Sequence, residues 1–403
     1  MRKGFLLLVT LLFVALFSVD AIAGTVLSKF DVSVGGYVKL DYINQNADLG
    51  PLSEPVPAEG TLKARQNQSL FTARQSRLHL KVTGPDFMNA KTSALIEGDF
   101  YGPGGSNDSG DFRMRLAYGE LSWENTSLIF GQDWDIFGPG LVSTLDFRTG
   151  EYTGAPNNPR VPQIRLTHNF HFNEANSLQL MIGVQNPVQN FKTEAPESSG
   201  DMVNVAARVM FTSKNFGSSP GYWGIHLEPF TAGVFGLYGK EKIEGNSDRV
   251  DVYGYGFYTH VPLMSSEDGK SRAMTLTFEG QAYIGAGLQK QGATAAQTVG
   301  TTPNVDAAKG YGAFGQFIFY PTQPLGITAG YGRRNIIDGS SYSDAAEKYN
   351  EAYYANVTYD LNGAVRVGAE YERLKTSYLA VPADATGHAG HANRVMVSGM
   401  YFF

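Results

Sequence analysis

The chain contains no cysteine, and this absence limits how the protein can be stabilised or anchored. None of its 403 residues is a cysteine, so neither a disulfide framework nor a lipid attached to a cysteine is possible. Charge is also scarce, at 17% of residues, and the formal net charge is −6. That balance argues against nucleic acid as a general partner, although it leaves room for a local basic patch.

Long apolar runs are missing everywhere except at the N-terminus. Basic residues precede the apolar run from Phe5 to Phe17, and small residues follow at Ala21 and Ala23. This pattern predicts a secretory signal peptide over residues 1–23 and a mature chain over residues 24–403. Beyond the signal peptide no apolar run approaches twenty residues, which excludes a helical membrane protein.

The abundant residues favour strands and turns, since 12% of the chain is aromatic and it holds 47 glycines and 22 tyrosines. Windows of about ten residues alternate apolar and polar at period two, as in "VGGYVKLDY", where Val34, Val38, Leu40 and Tyr42 share one face. We count sixteen such windows, which begin near residues 33, 71, 89, 111, 126, 161, 176, 202, 223, 249, 271, 309, 324, 350, 363 and 392. No linker separates them, so the mature chain is predicted to be one unit.

The connections between these windows alternate in length. The long segment 44–68 is followed by the short "GPDFMN", the polar "GPGGSNDSG" by the short "ENTS", and the long segment 135–160 by the short "NEAN". A further turn is predicted around "SKNFGSSPG". Short turns at one end and long loops at the other predict an all-β fold, a transmembrane antiparallel up-and-down β-barrel of about 16 strands with short periplasmic turns and long extracellular loops.

Closure of the sheet follows from its exposed apolar face. An open sheet of this size would leave two edges and that face uncovered, whereas a membrane barrel pairs every strand and presents the face to lipid. A soluble β-sandwich or propeller is the alternative, but such folds rarely place so many charges opposite the apolar face of regular strands. The final "RVMVSGMYFF" is therefore predicted to pair with "SVGGYVKLDY", with Val395, Val397, Tyr401 and Phe403 facing lipid.

Charged side chains on the strands should point into the lumen, because the alternate positions are apolar and face lipid. This rule places on the channel wall Lys39, Asp41, Arg77, His79, Lys81, Glu97, Asp99, Arg113, Arg115, Arg165, Arg208, Arg366, Glu370, Glu372 and Arg394. Arginines are concentrated on the early strands, where Arg74, Arg77, Arg113 and Arg115 lie on neighbouring strands and Arg165 follows shortly after.

A patch of fixed positive charge lowers the barrier for an anion, and the guanidinium fork suits carboxylate or phosphate oxygens. The arginine patch thus predicts a channel that favours anions. In the structural alternative these arginines pair with Glu97, Asp99 and Glu120 and only complete the polar wall.

Several stretches resemble the opening of a known porin family. They are "GGYVKLDY", "RQSRLHLKV", "KTSALIEGDFYG", "FRMRLAYGELSW" and "LIFGQDWDIFGP", within roughly residues 35–140, and they resemble the DcaP-like porins. The resemblance implies a passive diffusion channel in the outer membrane of a Gram-negative bacterium, a homotrimer, and small anionic solutes such as dicarboxylates. The last strand, with Tyr401 and Phe403, resembles the signal read by the barrel-assembly machinery. Some members carry a coiled coil ahead of the barrel, and here the sequence departs from them.

The resemblance also suggests that the segment 135–160 is the constriction loop, because in sixteen-stranded porins this loop folds inward and narrows the pore. Its glycines and prolines fit such a bend, and an outward surface loop is the alternative. Acidic residues on and beside this loop are expected to face the arginines across the narrowest point. The full predicted set of pore-lining and constriction residues is Arg74, Arg77, Lys81, Glu97, Asp99, Arg113, Arg115, Arg165, Asp133, Asp135, Asp146 and Glu151.

Two other functions stay open at this point. A barrel can sheath another component, such as a porin–cytochrome electron conduit, but a sheath would lack an inward-folded loop. A barrel enzyme would need a serine and a histidine at the lipid rim; His168 is the candidate and Ser177 is near it in sequence, but no orienting acid is evident. We therefore predict no enzyme activity, no metal site and no cofactor.

Overall fold

The computed structural model describes most of the chain. The described residues are 30–49, 55–102, 106–146, 154–155, 159–187, 198–200, 202–243, 249–292, 296–301, 304–343 and 346–403. The signal peptide predicted over residues 1–23 lies outside them. No helix in this part of the chain is long and apolar enough to cross a membrane.

Strands make up nearly all of the regular structure. They are β1 Asp31–Gln45, β2 Gln68–Thr72, β3 Arg77–Phe87, β4 Ala90–Asp99, β5 Arg113–Ser122, β6 Thr126–Trp134, β7 Arg160–His171, β8 Asn176–Gln185, β9 Ser198–Gly200, β10 Asn204–Pro220, β11 Leu227–Ile243, β12 Arg249–Met264, β13 Thr275–Ala286, β14 Thr298–Thr301, β15 Asn304–Ala307, β16 Lys309–Tyr320, β17 Leu325–Ile336, β18 Glu347–Asp360, β19 Val365–Tyr378 and β20 Ala389–Phe402. Short 3-10 helices occupy Lys63–Arg65, Tyr222–Gly224 and Gly339–Ser341.

The strands form a closed up-and-down barrel of 16 antiparallel strands. β2 and β3 together act as one strand, because both pair with β1 on the same side and residues 73–76 interrupt them. β1 also pairs with β20, and the Phe403 amide donates a hydrogen bond of 3.1 Å to the Gly36 carbonyl. The predicted fold class and the predicted seam between the first and last strands are confirmed. β1 begins and β20 ends at the short-turn end of the barrel.

Polarity in this barrel is inverted relative to a soluble protein. Val395, Val397 and Tyr401 of β20 are 44%, 49% and 54% exposed on the outer face. The alternate residues, such as Arg394 and Ser398, are buried inside. Lipid can cover an apolar outer face, and strand pairing satisfies the hydrogen bonds of the backbone. This is therefore the arrangement of a membrane-spanning barrel.

The structure corrects two details of the sequence prediction. Residues 213–220 of the segment "SKNFGSSPG" are not a turn but the end of β10. The register shifts between Ser213 and Ser218, after which pairing with β11 continues to Pro220. The turn itself is formed by residues 221–226. Strands also extend into predicted loops, as where β19 continues to Tyr378, because small and polar residues pair beyond the apolar belt without an alternating pattern.

Candidate functional site

The segment between β6 and β7 enters the barrel in its described part, and we call residues 135–146 the inner loop. Its base is fixed by the Asp135 carboxylate, which accepts one hydrogen bond from Gln185 Nε2 on β8 and another from Gln291 Nε2, each 2.7 Å long. Burial raises the pKa of the Asp135 carboxyl, and the hydrogen bonds that it accepts oppose that shift. Asp135 is therefore an anchor of the loop.

Apolar packing secures the next two residues of the inner loop. Ile136 and Phe137 are fully buried, and the Phe137 ring makes edge contacts with Phe235 at 4.9 Å and Tyr283 at 5.7 Å between centroids. Arg208 of β10 adds a hydrogen bond of 2.6 Å to the Ile136 carbonyl. These contacts hold the start of the loop against β10 to β13.

The middle of the inner loop follows the wall strand by strand. The Gly140 amide donates to Gln281 Oε1 of β13 at 2.8 Å, and the Ser143 amide donates to Gln316 Oε1 of β16 at 2.9 Å. Asn356 of β18 donates to the Ser143 carbonyl at 2.7 Å. Amide side chains of the wall thus satisfy backbone groups that have no strand partner.

The loop then reaches β19, β20 and β1. Glu370 accepts hydrogen bonds from the amides of Leu145 and Asp146, at 2.6 and 3.0 Å. The Asp146 carboxylate pairs with Arg394 at 2.6 Å, and Lys39 Nζ donates to the Leu145 carbonyl at 3.0 Å. All five residues are buried. We call the strands that the loop follows, from β8 through β20 to β1, the covered wall.

The remaining strands, β3 to β7, form what we call the open wall. Arg113 makes two parallel hydrogen bonds with Asp99, at 3.0 Å from Nε and 2.8 Å from Nη2. Arg115 bridges Asp99 and Glu97, at 2.9 and 2.7 Å. Such paired, charge-assisted bonds fix the guanidinium groups in position.

Two other arginines of the open wall keep unused hydrogen-bonding capacity. Arg77 Nε lies 3.6 Å from the Glu97 carboxylate, too far for a hydrogen bond, while Arg165 pairs with Asp133 at 2.7 Å. Within the described part of the chain, neither the Arg77 Nε nor the Arg165 Nε has a hydrogen-bond partner. Arg77 and Arg113 keep 23% and 31% of their side chains exposed. The exposed parts of the Arg77 and Arg113 side chains are available to an anion, whereas the two Nε atoms are buried.

Sequence reasoning missed two residues at the rim of this wall. The Trp134 ring lies 5.4 Å from the Arg115 guanidinium and 5.2 Å from that of Arg160, so the indole contacts two cations. The predicted loop segment includes Arg160, whereas this residue begins β7; a basic residue directly before an alternating window is the signal that could have found it.

The arginine cluster then has five arginines and three carboxylates, an excess of two positive charges: Arg77, Arg113, Arg115, Arg160 and Arg165 with Glu97, Asp99 and Asp133.

The acidic residues expected to face the arginines are divided between the two walls. Asp133 pairs with Arg165 on the open wall. Asp135 and Asp146 instead bind groups of the covered wall and hold the inner loop there. Glu151 lies outside the described residues. The structure thus joins one of these acids to the arginine cluster.

Two of the predicted basic residues lie apart from the cluster's ion pairs. Arg74, in the break between β2 and β3, donates to the carbonyls of Phe100 and Gly102, each at 3.0 Å. It therefore holds the connection from β4 to β5. Lys81 is exposed, farther towards the short-turn end of β3.

The rim histidine has a local partner. His168 Nδ1 and Thr126 Oγ1 are hydrogen-bonded at 2.7 Å, and the imidazole packs on Phe170 with 4.4 Å between ring centroids. Ser177 lies opposite His171 in the hairpin register, not opposite His168. The structure therefore does not bring His168 and Ser177 together as a catalytic pair.

No protein-family model and no curated protein matches the chain. Solved structures do match. The outer membrane channel DcaP of Acinetobacter baumannii superposes with a TM-score of 0.74 at 18% identity, over 93% of this chain and 98% of that chain. This barrel has a porin fold. The resemblance to DcaP-like porins that the sequence predicted is confirmed at the level of the fold.

Two further structures have the same architecture. The anion-selective porin from Comamonas acidovorans gives a TM-score of 0.58 at 12% identity, over 93% of this chain and 100% of that chain. OmpT, an outer membrane protein of Vibrio cholerae, in its trimer form gives a TM-score of 0.52 at 12% identity, with coverage of 93% and 100%.

Proposed function

We propose that this protein is an outer-membrane porin, a passive diffusion channel that favours small anionic solutes such as dicarboxylates. One observation carries the proposal: the arginine cluster of the open wall has an excess of two positive charges, with Arg77 and Arg113 partly exposed, while the inner loop follows the opposite wall. A solute is thereby directed along the arginines. Fixed positive charge lowers the barrier to anions, and guanidinium groups match carboxylate oxygens. The anion-selective porin with the same fold supports this direction of selectivity.

The same proposal includes a location and an assembly. The apolar outer face of the barrel, residues 24–403 after removal of a signal peptide, fits the outer membrane of a Gram-negative bacterium. Tyr401 and Phe403 on the outward face of the last strand would be the signal for the barrel-assembly machinery. A homotrimer is supported by the trimer form of OmpT, which has the same fold.

A sheath for a redox component is the competing function. A sheath needs an unobstructed lumen, and here the inner loop fills part of it through contacts from β8 to β1. We therefore prefer the channel.

The test is electrical. Purified protein is inserted in a planar bilayer, and single-channel conductance and the reversal potential are measured in a KCl gradient, with heat-denatured protein as the control. We expect stable conductance and the sign of reversal potential that chloride preference gives; replacing chloride by succinate should preserve current. A folded barrel without conductance would overturn the channel, and cation preference would overturn the role of the arginines.

A further inference from the structure

The turn between β10 and β11, residues 221–226, also enters the barrel, and we call it the inner turn. Its fold is specific: Trp223 has a φ of 55°, and Gly224 has a φ of 62°. A Cβ on Gly224 would lie 1.9 Å from the Tyr320 hydroxyl, so glycine is needed for this close approach. Tyr222 and Trp223 are half-buried, whereas Phe172 and Leu361 in two other short turns are 63% and 59% exposed.

The inner turn reaches across the lumen. Arg366 of β19 donates to the Trp223 carbonyl at 2.8 Å, although β12, β13, β16, β17 and β18 separate β11 from β19 in the barrel. The Trp223 side chain packs in a cluster with Leu145 of the inner loop and Met400 of β20. The turn therefore spans the interior rather than lying against its own hairpin.

Inner turn and inner loop touch each other inside the barrel. The Trp223 indole Nε1 donates to the Thr144 carbonyl at 2.9 Å, and the Trp223 amide donates to Ser143 Oγ at 3.2 Å. The inner loop comes from the long-loop end and the inner turn from the short-turn end. The two segments thus approach the same level of the lumen from opposite sides.

Three charged residues at the short-turn end hold the inner turn in place. Asp360 pairs with Arg366 at 2.5 Å and with Arg272 at 2.8 Å. Arg366 then donates to the Trp223 carbonyl, and Arg272 donates to the Gly224 carbonyl at 3.0 Å. A cavity of about 830 Å³, open at this mouth, is lined in part by these groups.

The two aromatic rings of the inner turn lie next to each other. Tyr222 and Trp223 are stacked, with 5.4 Å between centroids and 13° between planes, and both stay partly exposed. Burial raises the pKa of the Tyr222 phenol. Trp223 contacts the inner loop at Thr144 and the covered wall at Arg366, so the open wall bounds the other side of the remaining space.

We propose that the inner turn is a second constriction of the channel, in which Tyr222 and Trp223 narrow the passage opposite the arginine cluster and set the size of the solutes that pass. This inference rests on the proposed porin function. In this arrangement the arginines select the charge of the solute, and the aromatic pair selects its width. The residues Arg272, Asp360 and Arg366 keep the aromatic pair in the passage.

The first experiment compares conductances of the full-length barrel. Trp223→Ala removes the ring, so the single-channel conductance should rise by about 1.5-fold or more, because a wider filter passes more ions. The anion preference should keep its sign, because the arginine cluster is unchanged. Phe172→Ala, an aromatic at an outward turn, is the matched control and should leave conductance unchanged.

Trp223→Phe tests whether the size of the Trp223 ring or its hydrogen bond to the inner loop limits the conductance. It keeps a ring but loses the donor to Thr144, so its conductance should stay near the wild-type value. If Trp223→Phe widens the channel as much as Trp223→Ala, the residue acts only by holding the inner loop, and the second constriction is overturned. The second constriction is also overturned if Trp223→Ala, shown to be folded by heat-dependent electrophoretic mobility, conducts like the wild type. A silent wild type would instead overturn the porin function.

The absence of native cysteines permits a second, independent measurement. Tyr222→Cys introduces a single thiol, and bilayer current is recorded while methanethiosulfonate reagents of increasing size are added. We expect stepwise block that grows with reagent size. Labelling shown by mass spectrometry without any change in current would place the residue outside the passage and overturn the inference.

Discussion

Arg394 and Arg113 both point into the lumen and both pair with carboxylates, yet their surroundings differ. Arg394, on the covered wall, has 2% of its side chain exposed and binds Asp146 of the inner loop. Arg113, on the open wall, is 31% exposed and binds Asp99 of the neighbouring strand. The first arginine joins a loop to the barrel, whereas the second presents charge to the passage.

The net charge of the ionisable groups also differs between the two walls. Among the described residues around the tip of the inner loop there are four carboxylates and two cations: Asp41, Asp146, Glu370 and Glu372 with Lys39 and Arg394. The additional carboxylates accept hydrogen bonds from backbone amides; Glu370 accepts them from the amides of two residues of the loop. On the open wall the excess is positive and no described loop amide competes for the exposed guanidinium groups of Arg77 and Arg113. The position of the inner loop thus decides which lumen charges hold structure and which can act on solutes.

The largest effect is expected from Arg394→Met. The buried carboxylates of Asp146 and Glu372 then lose the guanidinium group that pairs with them. Removing one member of a buried ion pair lowers the free energy of unfolding by about 3–5 kcal/mol. Stability is measured by urea unfolding of the folded barrel in detergent, followed by tryptophan fluorescence.

Arg113→Met is the matched change on the open wall. Its partner Asp99 keeps a hydrogen bond of 2.9 Å from Arg115, and Arg113 is partly solvated, so the loss should be only about 1 kcal/mol. Equal losses of unfolding free energy in the two variants would contradict the distinction between the walls.

The second prediction concerns selectivity. The double change Arg113→Gln and Arg165→Gln removes the two excess positive charges of the arginine cluster, so the ratio of chloride to potassium permeability should fall several-fold towards one. Reversal potentials in a KCl gradient measure this ratio. Lys81→Gln, an exposed residue near the short-turn end, is the control and should change the ratio much less. A ratio that stays at the wild-type value in the double variant would show that other charges set the selectivity.

Local periodicity predicted the barrel well, because alternation at period two depends only on neighbouring residues. It placed Lys39, Glu370 and Arg394 inside, and the structure buries all three there. It could not say that the inner loop covers them, since the contact between Asp146 and Arg394 joins residues 248 positions apart. Whether a lumen charge is exposed or covered depends on such distant contacts.

The inner turn shows the same limit. The sequence predicts a strand from about residue 223 and a turn in the Gly- and Ser-rich end of β10, because composition alone does not reveal the register shift between Ser213 and Ser218. The hydrogen bond from Arg366 to the Trp223 carbonyl spans 143 positions. No local pattern indicates such a contact.

The smallest effect is expected from Asp133→Asn, which changes one charge of the open wall. This change raises the excess charge of the arginine cluster from two to three and frees the Arg165 guanidinium, whose partner lies at 2.7 Å, while the covered wall is untouched. Anion preference should therefore increase, by less than about 2-fold, since only one charge of the arginine cluster changes. The increase should be clear at about 0.1 M KCl and vanish at about 1 M, because the Debye length falls from about 10 Å to about 3 Å. An increase that persists at high salt would mean that the electrolyte does not screen the buried Asp133–Arg165 site, and the open wall would then act on solutes only at short range.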